Sequence, residues 1–102
     1  MNMQQMMKQA QMMQRRLTDV QSKLKDIPVS ASCGGGMVKV EGTAEGKITS
    51  ITIDPDACTA DDVELLEDSI LAAVNECLDA AHESAKQQMS AVTGGMNIPG
   101  LF

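Results

Sequence analysis

What this chain lacks most is aromatic side chains. It has no tryptophan or tyrosine and a single phenylalanine in 102 residues. Nine methionines and many alanines stand in their place, which makes a core that is adaptable but thin. Histidine is nearly absent too. The single His82, among Asp79 and Glu83, has no cysteine or serine partner nearby and reads as a plain surface residue. Metal ligation needs three or four converging ligands, and no cluster offers them at usable spacing. The three cysteines, Cys33, Cys58 and Cys77, form no CxxC pair and leave one unpaired in any disulfide scheme, a pattern suited to a reducing compartment. No secretory h-region precedes a cleavage site, and the longest apolar run is too short to span a bilayer. The expectation is a cytoplasmic protein of one domain.

Charge is unevenly placed. The chain has a formal net charge of -6 and a pI near 4.5, which opposes phosphate binding overall. Yet residues 1–26 hold Lys8, Arg15, Arg16, Lys23 and Lys25 against Asp19 and Asp26, a net of +3. The remaining residues net -9. A mildly basic arm is joined to an acidic body.

Between two helical patterns lies a β region, Cys33 to Asp56. Val38 and Val40 project to one face of a strand, and Ile51 and Ile53 do so on the next. Ile48 is out of phase with them, so that strand is expected to carry a bulge or a half-exposed start. Gly42 to Gly46 reads as a hairpin connection, and Gly34-Gly35-Gly36 as a second one, back to a short strand over Val29 to Ser32. Asp54-Pro55 stops the sheet, because proline cannot donate to the ladder. The triple glycine is no phosphate loop: a strand follows it, without the Lys-Ser/Thr pair such a loop needs.

From Met3 the apolar residues fall at 3, 6, 10, 13, 17, 20, 24 and 27, a heptad seam. With no Gly or Pro before Pro28, the spacing predicts one helix over about residues 3–26, roughly 36 Å long at about 1.5 Å per residue. Lys8 and Arg15 point away from the seam, whereas Arg16 and Lys23 flank it. Asp19 stands four residues from both Arg15 and Lys23, within pairing reach. The same charges also suit an ordinary solvated face. The methionines mostly follow the seam, so packing explains them better than a metal-binding tract does.

After the sheet, Thr59-Ala-Asp-Asp62 fits a variant capping box with Thr59 as N-cap. Val63, Leu66, Ile70, Ala73 and Cys77 make one apolar stripe, and Leu71, Val74, Leu78, Ala81 and Ala85 a second beside it. So wide a face must meet two partners, such as its own sheet and a second subunit. Val63, Leu66, Ile70, Val74 and Leu78 are the candidate core and dimer residues. Asp61, Glu64, Asp68, Asp79 and Glu83 line the opposite face, where acids usually serve solvation rather than acid–base chemistry. The helix is expected to run to about Val92 and stop at Gly94-Gly95. Residues 1–93 then form one domain and 94–102 a short tail, whose Leu101 and Phe102 either stay mobile or dock on a groove. No enzyme is expected, nor a cofactor, small-molecule substrate or membrane.

Several segments resemble the YbaB/EbfC family of bacterial nucleoid-associated proteins. They are Met7-Lys-Gln-Ala-Gln-Met12, Gly35-Gly-Met-Val-Lys-Val40, Ile53-Asp-Pro55, Leu65-Leu-Glu-Asp68 and Gly95-Met-Asn-Ile-Pro-Gly-Leu101. No single piece is specific; the five in this order are. The resemblance implies an α+β protomer of order α-β-β-β-α, with a three-stranded antiparallel meander and two long helices, paired into a tweezer-like homodimer. It also implies binding of duplex DNA at the nucleoid without a cofactor, in nucleoid organisation or gene regulation. The family's DNA contacts lie on helical arms, which nominates Lys8 and Gln11 from the matching motif. Arg15, Arg16 and Lys23 join them by charge and facing. A protein-interaction adaptor, taking up a partner helix on the methionine-rich seam or the tail without touching DNA, is the alternative.

Overall fold

A computed structural model describes residues 2–58 and 60–93. Its order is α1 (Met3–Leu24), β1 (Pro28–Cys33), β2 (Val38–Thr43), β3 (Lys47–Ile53) and α2 (Val63–Thr93), with 3-10 turns at Pro55–Ala57 and Ala60–Asp62 between β3 and α2. This is the expected α-β-β-β-α protomer. Asn2 caps α1: its Oδ1 accepts the backbone N–H of Gln5 at 2.8 Å, which offsets one of the four orphan donors of a helix start. The helix ends two residues before the expected boundary, because the chain turns at Lys25 and Asp26 to reach Pro28. Thr59 and the glycines at 94 and 95 lie outside the described residues. Among those described, the Ala60–Asp62 turn leads into α2.

The strands form an antiparallel sheet in the order β1-β2-β3. Gly34, Gly35 and Gly36 turn the first hairpin with φ of 64°, 69° and 89°, a left-handed path that side chains with a Cβ rarely follow. In the second hairpin, pairing passes from Glu41↔Ser50 to Gly42↔Ile48 and skips Thr49. That is the bulge expected from the phase of Ile48. The extra residue returns Ile48 to the face of Ile51 and Ile53, and Ile48 packs against the core. The bulge also presses the strands together: a Cβ on Gly42 would stand 2.5 Å from the Lys47 carbonyl oxygen and 3.4 Å from Cys77 Sγ. Backbone, unlike a flexible side chain, cannot swing aside. Gly42→Ala is expected to destabilise the fold by about 1–3 kcal/mol, seen as a lower melting temperature; unchanged melting would contradict the tight register.

Helix α2 lies across β1 and β2 and barely reaches β3. The core is accordingly small. Val38, Val40, Ala73 and Cys77 are buried, with Val29, Ala31, Cys33, Ile48, Leu66, Ile70 and Val74 packed around them. Ile51 pairs with buried Val40 and shares its face, yet it is 48% exposed. The expectation that Ile51 and Ile53 are covered holds only halfway for Ile53 and fails for Ile51, because no helix of the same chain passes over that edge. Among the candidate core and dimer residues, Leu66, Ile70 and Val74 are half-buried, while Val63 and Leu78 remain exposed.

Candidate nucleic-acid interface

The seam of α1 is covered in a gradient. Leu24 is buried, Val20, Leu17 and Met13 are half-buried, and Ala10, Met6 and Met3 are exposed. Its main neighbour is α2, so packing holds the C-terminal part of α1, and residues 2–12, all exposed, stand clear of the body. The molecule measures 70 × 22 × 15 Å, and this arm contributes to its length. Within the packed part, two side chains bond back to the preceding turn, an arrangement that often bends a helix slightly. The Thr18 hydroxyl donates to the Gln14 carbonyl at 2.9 Å, and Ser22 donates to Thr18 at 3.0 Å.

Lys8, Gln11, Arg15, Arg16 and Lys23 are all exposed on α1. The expected pairing of Asp19 with Arg15 or Lys23 is not made. Among the described residues the ion pair present is Lys39–Glu41, at 3.8 Å on the sheet's outer face. Every arm cation therefore keeps its charge unneutralised by the protein, which is what a phosphate-binding surface requires. Lys8 and Arg15 are seven residues apart, about 10 Å along the axis. Glu64, Asp68, Asp79 and Glu83 of α2 and Asp61 of the turn before it are also exposed, and their charge opposes phosphate. Net positive charge falls on residues 1–26 and net negative charge on the remainder.

Sequence reasoning passed over two arm residues. Met7 and Met12 do not belong to the seam, and they are 58% and 49% exposed. Met12 lines a shallow hollow with Gln9, Met13 and Arg16. Rows four residues apart run Met7-Gln11-Arg15-Asp19 and Lys8-Met12-Arg16, and Met7 and Met12, five residues apart, fall on opposite flanks of the helix.

Elsewhere the surface offers little chemistry. A cleft of about 210 Å³ between the first hairpin and the start of α2 carries Asp56 and Asp62 among Met37, Leu65 and Leu66, without a base or nucleophile set against them. Among the described residues no group of His, Cys, Asp and Glu could hold a metal, and no helix is long and apolar enough to cross a membrane. His82 is exposed. Cys33, Cys58 and Cys77 are free thiols. Burial pushes the Cys77 thiol up from its ordinary 9.0, and a buried neutral thiol is a packing group, not a nucleophile.

Comparison with known proteins places the chain in a family. The sequence profile of the YbaB/EbfC DNA-binding family matches residues 1–96. A nucleoid-associated protein of Thermoanaerobacter pseudethanolicus is 48% identical over 99% of this chain and 91% of its own length. One from Acetivibrio thermocellus is 50% identical over 99% and 90%. The crystal structure of an uncharacterized protein from Helicobacter pylori, 24% identical, superposes with a TM-score of 0.79 over 92% of this chain and 99% of that one; at that identity it speaks for the fold alone. The chain belongs to the YbaB/EbfC DNA-binding family. That family is described by binding DNA, not by a reaction.

Proposed function

We propose that this chain forms a homodimer that binds duplex DNA with low sequence specificity through its two first helices. It acts at the nucleoid in the cytoplasm, in DNA organisation or gene regulation. The observation that carries this reading is the DNA-binding family profile over residues 1–96. The exposed, unpaired cations Lys8, Arg15, Arg16 and Lys23 support the assignment to α1. Lysine and arginine on phosphates position a protein without reading sequence, hence the low specificity.

Dimerisation is supported by what the protomer leaves uncovered. Ile51, Val63, Leu65, Leu71 and Leu78 are large apolar residues left exposed, whereas the largest fully buried side chains are Val38, Val40 and Cys77. A small core beside a wide apolar surface is the condition that association relieves. Among the described residues, both outer strands, β1 and β3, also lack a neighbour on one edge.

A gel shift with the purified protein across a salt series tests the reading. If about four to six phosphates are neutralised per dimer, log K should fall against log salt with a slope of roughly -4 to -5. No shift at the lowest salt would sink it and favour the adaptor, with the methionine seam taking up a partner helix.

A further inference from the structure

The apolar seam of α1 outruns its cover. Cys77 Sγ lies 4.0 Å from the Val29 carbonyl oxygen, and a Cβ on Gly34 would meet Ser69 Oγ at 3.4 Å, so α2 runs antiparallel to β1. Beyond Cys77 it passes the first residues of that strand, yet Ala81 is buried and Ala85, Met89 and Val92 are half-buried. The other helix packed on α2, α1, covers them, with Leu24 buried and Val20, Leu17 and Met13 half-buried. The two helices therefore pair antiparallel. Leu24 to Met13 and Ala81 to Val92 span the same number of residues, so cover ends on both helices at one level. Past that level Ala10, Met6 and Met3 continue the seam, all exposed, Met6 by 58% and Met3 by 77%.

We infer that residues 96–102 of the same chain fold back along α1 and cover Met3, Met6 and Ala10. Residues 94–102 lie outside the described ones, but the level at which α2 delivers them is fixed. Thr93 ends α2 beside the last covered turn of α1, and nine residues follow it. Nine extended residues reach about 30 Å, whereas Met13 to Met3 is about 15 Å along the helix. Gly94-Gly95 and Pro99 do not favour a further helical turn, so an extended strip is the form available. Its composition suits the seam: Met96, Ile98, Leu101 and Phe102 are apolar, and residues 94–102 contain no charge. Phe102 is the one aromatic in the chain, and thioethers contact ring edges favourably. A second copy of α1 would bring Lys8, Arg15, Arg16 and Lys23 against their like. The tail brings no charge, and its tether keeps it at high local concentration. Lys8 and Arg15 point away from the seam, so a docked tail leaves them open. Docking stands whether or not those cations meet phosphate.

Methionine-methyl NMR and amide hydrogen exchange on the full chain test this. Phe102 carries the only phenyl ring, so its ring protons should show through-space contacts to the methyl of Met3 or Met6. In mixtures of labelled and unlabelled chains these contacts should stay within one chain. Contacts made only between chains would place the tail on a second copy and overturn the inference. In Leu101→Ser/Phe102→Ser, amides of residues 6–12 in α1 should exchange about threefold to tenfold faster than in the parent, because local opening of the arm loses its restraint. Amides of residues 17–24 and the sedimentation should match the parent. Absent ring–methyl contacts, or unchanged exchange over residues 6–12, overturns the inference. So does faster exchange throughout α1, which would mark a loss of global stability. A variant that no longer sediments like the parent overturns it as well, since the tail would then serve subunit packing.

Discussion

Changing Arg15 and Arg16 together to glutamine should weaken DNA binding by about tenfold for each phosphate left without its cation at 0.1 M salt. Both side chains are exposed on α1 and neither is held in an ion pair, so the protein surrenders nothing structural. Glutamine matches arginine in helix propensity, and the seam through Leu17, Val20 and Leu24 is untouched. In a dimer the change removes four positive charges from the only basic part of an acidic molecule. Each neutralised phosphate contributes about 0.9 to the slope of log K against log salt. If half of these cations meet phosphate, the slope should flatten by about 2 and affinity should fall about a hundredfold. Loss should be uniform across DNA sequences, because phosphate contacts carry no base information. Sedimentation and melting should match the parent. A variant that binds as tightly, with the same slope, would remove the arm from consideration and leave the adaptor.

The second large effect separates folding from association. The parent should sediment near twice 10.8 kDa at low micromolar concentration; a folded monomer there would contradict the proposed homodimer. Val74 is half-buried and packs on the Val38–Val40–Ala73–Cys77 core. An aspartate there gives up much of its hydration against an apolar core, at a cost of about 3–5 kcal/mol. With so small a core, Val74→Asp should unfold the protein. Leu78 is 37% exposed in the protomer, so an aspartate there stays hydrated within a single chain. Leu78→Asp should therefore give a helical species near 10.8 kDa instead of an unfolded one. A Leu78→Asp protein that stays dimeric with unchanged melting would show that this part of α2 is not the interface. Leu71, at 61% exposure, offers an independent probe of the same face.

The β region was legible from residues wherever local rules decide. Val38 and Val40 are buried as their alternation required, and the strand closes at Ile53 before Asp54-Pro55. Ile48 announced the bulge, because an apolar residue out of phase must either face water or be brought back by an inserted residue. The cap at Asn2 went unnoticed, although an asparagine just before a helical run is its ordinary signal. The Asp19 pairs failed for a different reason. Four-residue spacing allows such contacts on an exposed helix but contributes only about 0.2–0.5 kcal/mol, too little to order two long side chains in water.

By itself the sequence determined the element order, the two hairpins, the basic arm and the acidic body, because these follow from periodicity, glycine placement and charge, all properties of near neighbours in the chain. Only the tertiary structure decided which apolar residues are covered. Ile51 and Val40 belong to the same face and differ in fate because α2 crosses β1 and β2 and stops short of β3. The heptad seam of α1 is continuous in the sequence, yet it is covered only from Met13 onward and exposed at Met3, Met6 and Ala10. Burial depends on where a distant element comes to rest, and spacing along one helix or strand carries no record of that.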